Sequence, residues 1–234
     1  YPKDSPLSNG TVNMKYMTAK EEDILTNANY IKNGVAIDKL LSSLITSPIN
    51  FDDLLIGDKN AIMIAARILG YGAEYEVKMI HPETGIESTG IINLSDIKDI
   101  ILDESIVING ENEFEFTLPT SKVNITFKLL TNGDEKKIDR EVKGLKKLNK
   151  PSSEGTITLK HTIKSINGDT TLKTIRDFVD NTLLARDARA LRQYINKISP
   201  GIDLNTEVEF EDGHVMSDVS LPININFFWP DAGV

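Results

Sequence analysis

Three acidic residues and one arginine are the side chains that acid–base chemistry could use, although their spacing matches no specific catalytic motif. Asp52 and Asp53 are adjacent, Asp58 follows shortly after them, and Arg67 lies in the next apolar segment. Two carboxylates that flank a glycosidic bond can serve as acid and nucleophile or as acid and base. One hypothesis is therefore a hydrolase-like enzyme that uses these carboxylates near Arg67. The competing interpretation is that they are helix-start charges, which the positive end of a helix dipole favours.

No nucleophile or metal set accompanies these carboxylates. The chain has no cysteine, which excludes disulfides, thiol catalysis and thiolate-bound zinc or iron–sulfur centres. His81, His161 and His214 lack the paired spacing of a metal site and are predicted to be surface or turn residues. Glycine-rich phosphate motifs and the Gly-x-Ser-x-Gly motif are also missing from the sequence. We therefore expect no catalytic residue, no metal, no cofactor and no small-molecule ligand.

The charge of the chain argues against nucleic acid as the main partner. Lysine and arginine number 26 against 35 aspartate and glutamate residues, for a net charge of −9, whereas phosphate binding needs a cationic excess. Two basic segments keep a nucleic-acid-binding module open as an alternative. Because no aromatic residues for base stacking interrupt them, a solvated helix face explains each better, and docking onto an acidic protein stays open as a further interpretation. The segments are the lysines of 136–150 (Lys136, Lys137, Lys143, Lys146, Lys147 and Lys150) and the repeat Arg186, Arg189 and Arg192.

An almost wholly apolar helix is predicted at 54–72. Residues 61–66 read Ala-Ile-Met-Ile-Ala-Ala, so apolar side chains point in every direction around the helix and must be covered on several sides. Asp58 is predicted to be the N-cap residue. Gly70 and Gly72 follow where a left-handed residue would end the helix.

Arg67 is the one charged residue inside this apolar run. We expect it to form a buried ion pair that fixes the helix, with Asp53 or Asp58 as its partner. The run at 61–69, which Arg67 interrupts, is also much shorter than the roughly 18 to 20 apolar residues that a membrane span requires. No membrane span is therefore expected.

Helices are also predicted before this segment. Thr18 and Glu21 have the Thr-x-x-Glu spacing of a capping box, which predicts a helix over 19–31 after a short strand at 11–17. A further helix is predicted at 37–45 from its apolar spacing. Short connections between these helices favour a compact helical layer.

From residue 73 the hydrophobic period changes from that of a helix to that of a strand. A hairpin is predicted around the turn at 81–85, and two more strands are predicted at 114–116 and 123–127. Together they form a small antiparallel sheet. A lysine-rich amphipathic helix follows at 135–148.

The last part of the chain is predicted to be a long helix at 172–198, bent near 180–181 where helix propensity is weakest, and a hairpin that turns at 212–213. It is followed by three adjacent aromatic residues, Phe227, Phe228 and Trp229. These side chains need burial, and two interpretations stay open. They pack on the core of this chain, or they bind a partner subunit from a loosely held terminus.

These elements predict an α+β fold. An N-terminal helical layer with a small antiparallel sheet and hairpin is followed by a helical segment and a C-terminal β-hairpin tail. The stretch 149–156 is rich in proline, serine and glycine and is the predicted linker. It separates an N-terminal α+β domain at 1–148 from a C-terminal segment at 157–234.

The order of these motifs resembles the T4-type phage baseplate protein family, which includes baseplate hub and hub assembly proteins. The pattern covers about residues 1–148. One departure lies at the turn 81–85, which reads His-Pro-Glu-Thr-Gly, where many relatives carry a Cys-Pro-x-Cys type turn. No metal site is therefore carried over, although ordinary strand pairing can replace a zinc-stapled hairpin. The motifs that carry the resemblance are Tyr-Pro at 1–2, Ser-Asn-Gly at 8–10, Met-Thr-Ala-Lys-Glu-Glu at 17–22, Leu-Leu-Ile-Gly-Asp-Lys at 54–59 and Arg-Ile-Leu-Gly-Tyr-Gly at 67–72.

The resemblance implies a non-enzymatic protein of a contractile phage tail. Such a protein acts through protein–protein contacts, either as a hub component in the virion or as an assembly factor in the host cytoplasm. Its expected partners are other tail or baseplate hub proteins. The chain opens on Tyr1 rather than methionine, which predicts that it begins inside a longer product.

Overall fold

The structure, a computed structural model, shows two compact units that interleave along the chain. The first unit comprises Tyr1–Thr11, Pro48–Lys59 and Ile101–Pro200. The second comprises Val12–Ser47, Asn60–Ile100 and Gly201–Val234. This division differs from the predicted boundary at 149–156. The structure describes residues 1, 3, 5–102, 111–151, 153–221, 223 and 225–228.

The described residues form helices and two antiparallel sheets, which confirms the α+β fold class. The helices are α1 (Ala19–Thr26), α2 (Ala28–Lys32), α3 (Ala36–Leu44), α4 (Ile56–Tyr71), α5 (Asn132–Lys147), α6 (Glu154–Thr162), α7 (Leu172–Asp177), α8 (Ala185–Ile198) and α9 (Ile225–Phe228). The strands are β1 (Glu74–Ile80), β2 (Glu87–Asn93), β3 (Phe114–Thr117), β4 (Asn124–Phe127), β5 (Ile163–Ile166), β6 (Asn205–Phe210) and β7 (Val215–Ser220).

A four-stranded sheet in the order β1-β2-β6-β7 organises the second unit. The two predicted hairpins supply the strands, and β2 and β6 join them through the pairs Gly90–Phe210 and Ile91–Glu209. At Gly90 the backbones approach closely, because a Cβ atom there would lie 2.3 Å from Cγ1 of Val208. A side chain at this position would therefore push the two strands apart.

Two elements before the sheet, one helix and one strand, differ from their prediction. The predicted helix at 19–31 is broken into α1 and α2 at Asn27, whose side chain accepts hydrogen bonds from the N–H groups of Asn29 and Tyr30. Asn27 thus acts as a second N-cap. The strand predicted at 11–17 is reduced to one bridge, between Met14 and Ile45.

Helix α4 is present, but its boundaries change the roles of three predicted residues. It begins at Ile56, so Asp58 lies in the first turn and is not the N-cap residue. Gly72, with φ of +87°, follows the last helical residue and ends the helix as predicted. Gly70 lies inside the helix, where a Cβ atom would lie 3.2 Å from Cε of Met17.

The first unit is built on a three-stranded sheet in the order β3-β4-β5. Its core includes Ile125 and Phe127 from β4 and Leu191 from α8. Helix α5 starts at Asn132 because Thr131 and Asp134 form a capping box there.

Two further differences concern the region after residue 150. Helix α6 and strand β5 were not predicted, because α6 contains glycine and three threonines and β5 has only four residues. The predicted helix at 172–198 is divided into α7, a π-helical turn at Phe178–Thr182 and α8, and the bend predicted near 180–181 falls within that turn. Leu183 and Leu184, in extended conformation, separate the last two. Within the described part of the chain, no helix has the length and apolar composition needed to cross a membrane.

Candidate interaction surface

Two of the three carboxylates of the hydrolase hypothesis, Asp52 and Asp58, have structural partners. Asp52 accepts hydrogen bonds from Nζ of Lys136 at 2.6 Å and from the side-chain amide of Asn132 at 3.2 Å. Asp58 accepts a hydrogen bond from the Tyr1 hydroxyl. Burial and this bond raise the pKa of Tyr1 above its ordinary value. These contacts fit helix-start charges, and they leave the acid–base interpretation without support from the geometry.

Arg67 is buried, but the predicted ion pair is wrong. Its Nη1 donates to the carbonyl of Gly72 at 3.1 Å and its Nη2 to that of Glu74 at 3.4 Å. The guanidinium carbon lies 5.1 Å from the ring centre of Tyr71 and 5.7 Å from that of Tyr75. Burial lowers the pKa of Arg67. Arg67 therefore holds the chain between α4 and β1 through backbone carbonyls and aromatic rings.

Thr18 and Glu21 form a capping box at the start of α1. The Glu21 carboxylate is fully buried and also accepts hydrogen bonds from Lys15 at 2.7 Å and Ser43 at 3.0 Å. The bonds from Lys15 and Thr18 are the main reason that the pKa of Glu21 falls to about 2. The carboxylate therefore anchors α1 to α3, the helix that contains Ser43.

The aromatic tail lies largely in the core. Phe227 and Phe228 are both 0% exposed. The Phe227 ring meets that of Tyr75 edge to face, with 5.0 Å between ring centres. This burial favours the first of the two interpretations for these side chains. Trp229 lies outside the described residues, and partner binding by the tail stays a prediction.

The lysine-rich segment is partly neutralised by its neighbours. Lys136, Lys137 and Lys143 form ion pairs with Asp52, Asp134 and Asp139, respectively, at 2.6 to 3.3 Å. These pairs are typical of a solvated helix face.

The structure also brings together two histidines that the sequence left isolated. The rings of His81 and His214 lie 5.0 Å apart at the tips of the two hairpins. His81 lies at the hairpin turn, which is one of its two predicted positions, but it is buried there, and its Nδ1 accepts the N–H groups of Glu83 and Thr84. Its Nε2 lies 3.2 Å from Asp212 without hydrogen-bond geometry. Among the described residues, no group of three or more acidic or histidine side chains is arranged to hold a metal.

The outward face of the four-stranded sheet is the most distinctive exposed surface of the second unit. One row of neighbouring residues crosses all four strands: Glu76, Ile91, Glu209 and Val215. Ile91 is 42% exposed and Val215 is 48% exposed, whereas the opposite side carries the buried residues of the sheet. We call this surface the outer sheet face.

The outer sheet face is strongly acidic around its apolar residues. Strands β1, β2 and β6 place five exposed glutamates and one lysine on it, and none of these glutamates has an ion pair with a described residue. A cleft of about 620 Å³ at this face is lined by Ile91, Glu209 and Glu211 among others. The charged residues of the face are Glu74, Glu76, Lys78, Glu87, Glu207 and Glu209.

Sequence reasoning missed the outer sheet face as a candidate site. The alternation of each strand was visible, but the row exists only because β2 pairs with β6, more than a hundred residues later. The signal that could have found it is the set of isoleucine and valine residues on strand faces otherwise occupied by glutamate. On a half-buried sheet such positions are normally polar.

Comparison with protein families identifies the family of this chain. Residues 2–229 match the family described as T4 bacteriophage base plate protein. The chain therefore belongs to this family, which places it in the baseplate of a phage tail, with a structural role and tail proteins as its partners. The match confirms the resemblance and extends it well beyond residue 148. Comparison with curated proteins and with solved structures finds no significant match.

Proposed function

We propose that this chain is a baseplate hub component or hub assembly factor of a contractile-tailed phage and acts without enzymatic chemistry, through protein–protein contacts. The observation that carries the proposal is the family match over residues 2–229. The hydrogen bonds of Asp52 with Lys136 and of Asp58 with Tyr1 support a non-enzymatic role. As an assembly factor, the chain acts in the host cytoplasm before the virion is complete.

The outer sheet face is the surface that we propose for the contact with a tail partner. Within its exposed row, Ile91 and Val215 lie on either side of Glu209 and offer apolar contacts, and the glutamates of the face have no ion pair with a described residue. The matching occupant is a segment of a tail protein that presents apolar side chains flanked by lysine or arginine. Such complementary charge guides association, while the apolar centre provides most of the affinity.

Photo-crosslinking during infection tests this contact. A photoreactive amino acid is placed at Ile91 and, as a matched control, at Leu148, another exposed apolar residue. We expect the probe at Ile91 to crosslink to one tail protein, at a lysine- or arginine-bearing segment, while the probe at Leu148 gives no such product. Equal crosslinking from both positions, or none from Ile91, would contradict the proposed contact.

Quantitative mass spectrometry of purified virions separates the two versions of the role. A hub component is retained in the particle at a fixed ratio to the other baseplate proteins. An assembly factor is present in infected cells and absent from particles. A chain found in neither tail precursors nor virions would contradict both versions.

A further inference from the structure

The outward side of α8 is a cationic surface that the proposed contact leaves unused. Arg186, Arg189, Arg192 and Lys197 are all exposed. With 3.6 residues per turn, they lie opposite Leu191 and the other residues that α8 buries in the core of the first unit. We call these four residues the α8 cationic face.

Among the residues that the structure describes, no acidic side chain neutralises this face. Asp187, the single acidic residue of α8, is fully buried and accepts the backbone N–H groups of Thr120 at 2.7 Å and Ser121 at 2.9 Å. The four cations have no hydrogen bond or ion pair with any other residue that the structure describes. Their charges therefore face solvent without compensation.

This arrangement differs from that of the other basic segment. Helix α5 intersperses its lysines with carboxylates, and Lys143 pairs with Asp139 one turn away. On α8, by contrast, like charges recur every three residues, a spacing at which they repel each other. Arg186 also lies in the first helical turn, where the helix dipole disfavours a cation. An anionic partner would reduce both the repulsion between the cations and the unfavourable interaction of Arg186 with the helix dipole.

We infer that the α8 cationic face binds a carboxylate-bearing surface of another tail protein. The planar guanidinium groups of three arginines suit carboxylates, which they bind through paired hydrogen bonds. Leu184, 47% exposed at the N-cap position, adds an apolar contact beside Arg186. This surface lies in the first unit, so the chain has two docking faces of opposite charge, each suited to a different partner surface.

A protein fits this face better than a nucleic acid does. Tyr194, the aromatic residue of α8, stacks on Phe116 with 4.8 Å between ring centres, so it is not free to stack on bases. The net charge of −9 also opposes a polyanion, whose affinity depends on many phosphate contacts. The choice of a tail protein as the occupant rests on membership of the baseplate family.

Fluorescence anisotropy with a labelled deca-glutamate peptide tests the inference in the intact chain. The test variant combines Arg186→Gln, Arg189→Gln and Arg192→Gln. The control combines Lys143→Gln, Lys146→Gln and Lys147→Gln and removes the same charge from α5. At low ionic strength we expect the test variant to bind the peptide at least about tenfold more weakly and the control to stay within about twofold of the wild type. Circular dichroism melting establishes that both variants are folded.

Three results would overturn the inference. Equal losses in the test and control variants would show a general charge effect. Tighter binding of a DNA duplex than of the peptide, lost in the same test variant, would assign the face to nucleic acid. Concentration-dependent self-association of the wild type, abolished in the test variant, would assign it to a second copy of the chain. None of these results touches the outer sheet face, so the proposed function is tested separately.

Discussion

At the scale of single residues, buried charged groups fix the local structure through specific partners. Glu21 is held ionised by Lys15, Thr18 and Ser43, and its pKa of about 2 lies below its ordinary value. A carboxyl group with a lowered pKa in the folded state stabilises the fold above its unfolded pKa of about 4.3. That contribution is lost as the pH falls through the folded pKa.

We therefore predict that Glu21→Gln flattens the acid branch of the stability curve. The free energy of unfolding of the wild type should fall faster than that of the variant between about pH 4.5 and pH 2. Urea denaturation at several pH values measures this difference. Glu115→Gln, at an exposed position of β3, should follow the wild type. Parallel curves for Glu21→Gln and the wild type would contradict the role of the ionised carboxylate.

Arg67 leads to a second prediction at this scale. Arg67→Lys should lower the free energy of unfolding by about 1 to 3 kcal/mol, because an ammonium group cannot reproduce the guanidinium's contacts with two carbonyls and two rings. Arg140→Lys, at an exposed site, should change it by less than about 0.5 kcal/mol. Chemical denaturation measures the free energy of unfolding of both variants. Similar values for the two would show that burial of the arginine contributes nothing specific.

The residues also show what a sequence reveals about a local site. The Thr18–Glu21 capping box could be predicted because its partners lie within one helical turn. The partners of Arg67 could not, because they are backbone carbonyls that no side-chain pattern marks. A buried arginine was therefore correctly expected, whereas the ion pair was wrong.

At the scale of elements, helices and hairpins with local signals were predictable and long-range pairing was not. The alternation in β1 and β2 predicted their hairpin, and the Asp-Gly turn predicted that of β6 and β7. The union of both hairpins in one sheet depends on β2 meeting β6 across a long stretch of chain. The outer sheet face follows from that union and was missed with it.

Two glycines give a matched test of the elements. Gly90→Ala should lower the free energy of unfolding by about 1 to 3 kcal/mol, because the added Cβ would clash with Val208 between β2 and β6. Gly144→Ala, within α5 and with open space around the added atom, should raise it by about 0.5 to 1 kcal/mol. Thermal and urea denaturation show whether each substitution raises or lowers the free energy of unfolding. A neutral Gly90→Ala would contradict the close approach of the two strands.

At the scale of the whole molecule, the chain passes repeatedly between its two units. Neither 1–148 nor 157–234 contains a complete unit, because β6 and β7 belong with β1 and β2, whereas β5 and α8 belong with β3 and β4. The linker-like stretch at 149–156 makes a continuous two-domain division the simplest prediction from the sequence. It takes no account of strands that pair across that stretch.

The interleaving predicts that fragment 1–148 does not fold by itself. Without β6, the edge of β2 is unpaired, and without β5 and α8 the core of the first unit is open. We expect the fragment to unfold without a cooperative transition, while the full chain unfolds cooperatively, as circular dichroism melting can show. A cooperative transition of the isolated fragment would support the predicted domain boundary instead.

We propose that this chain builds the phage baseplate through protein contacts. Electron microscopy of particles from a phage whose copy of the gene is disrupted tests it most directly, with the gene supplied in trans as the control. We predict that the disrupted phage forms no complete baseplates and that the supplied wild-type chain restores them. Normal tails with intact baseplates in the absence of the chain would contradict the claim.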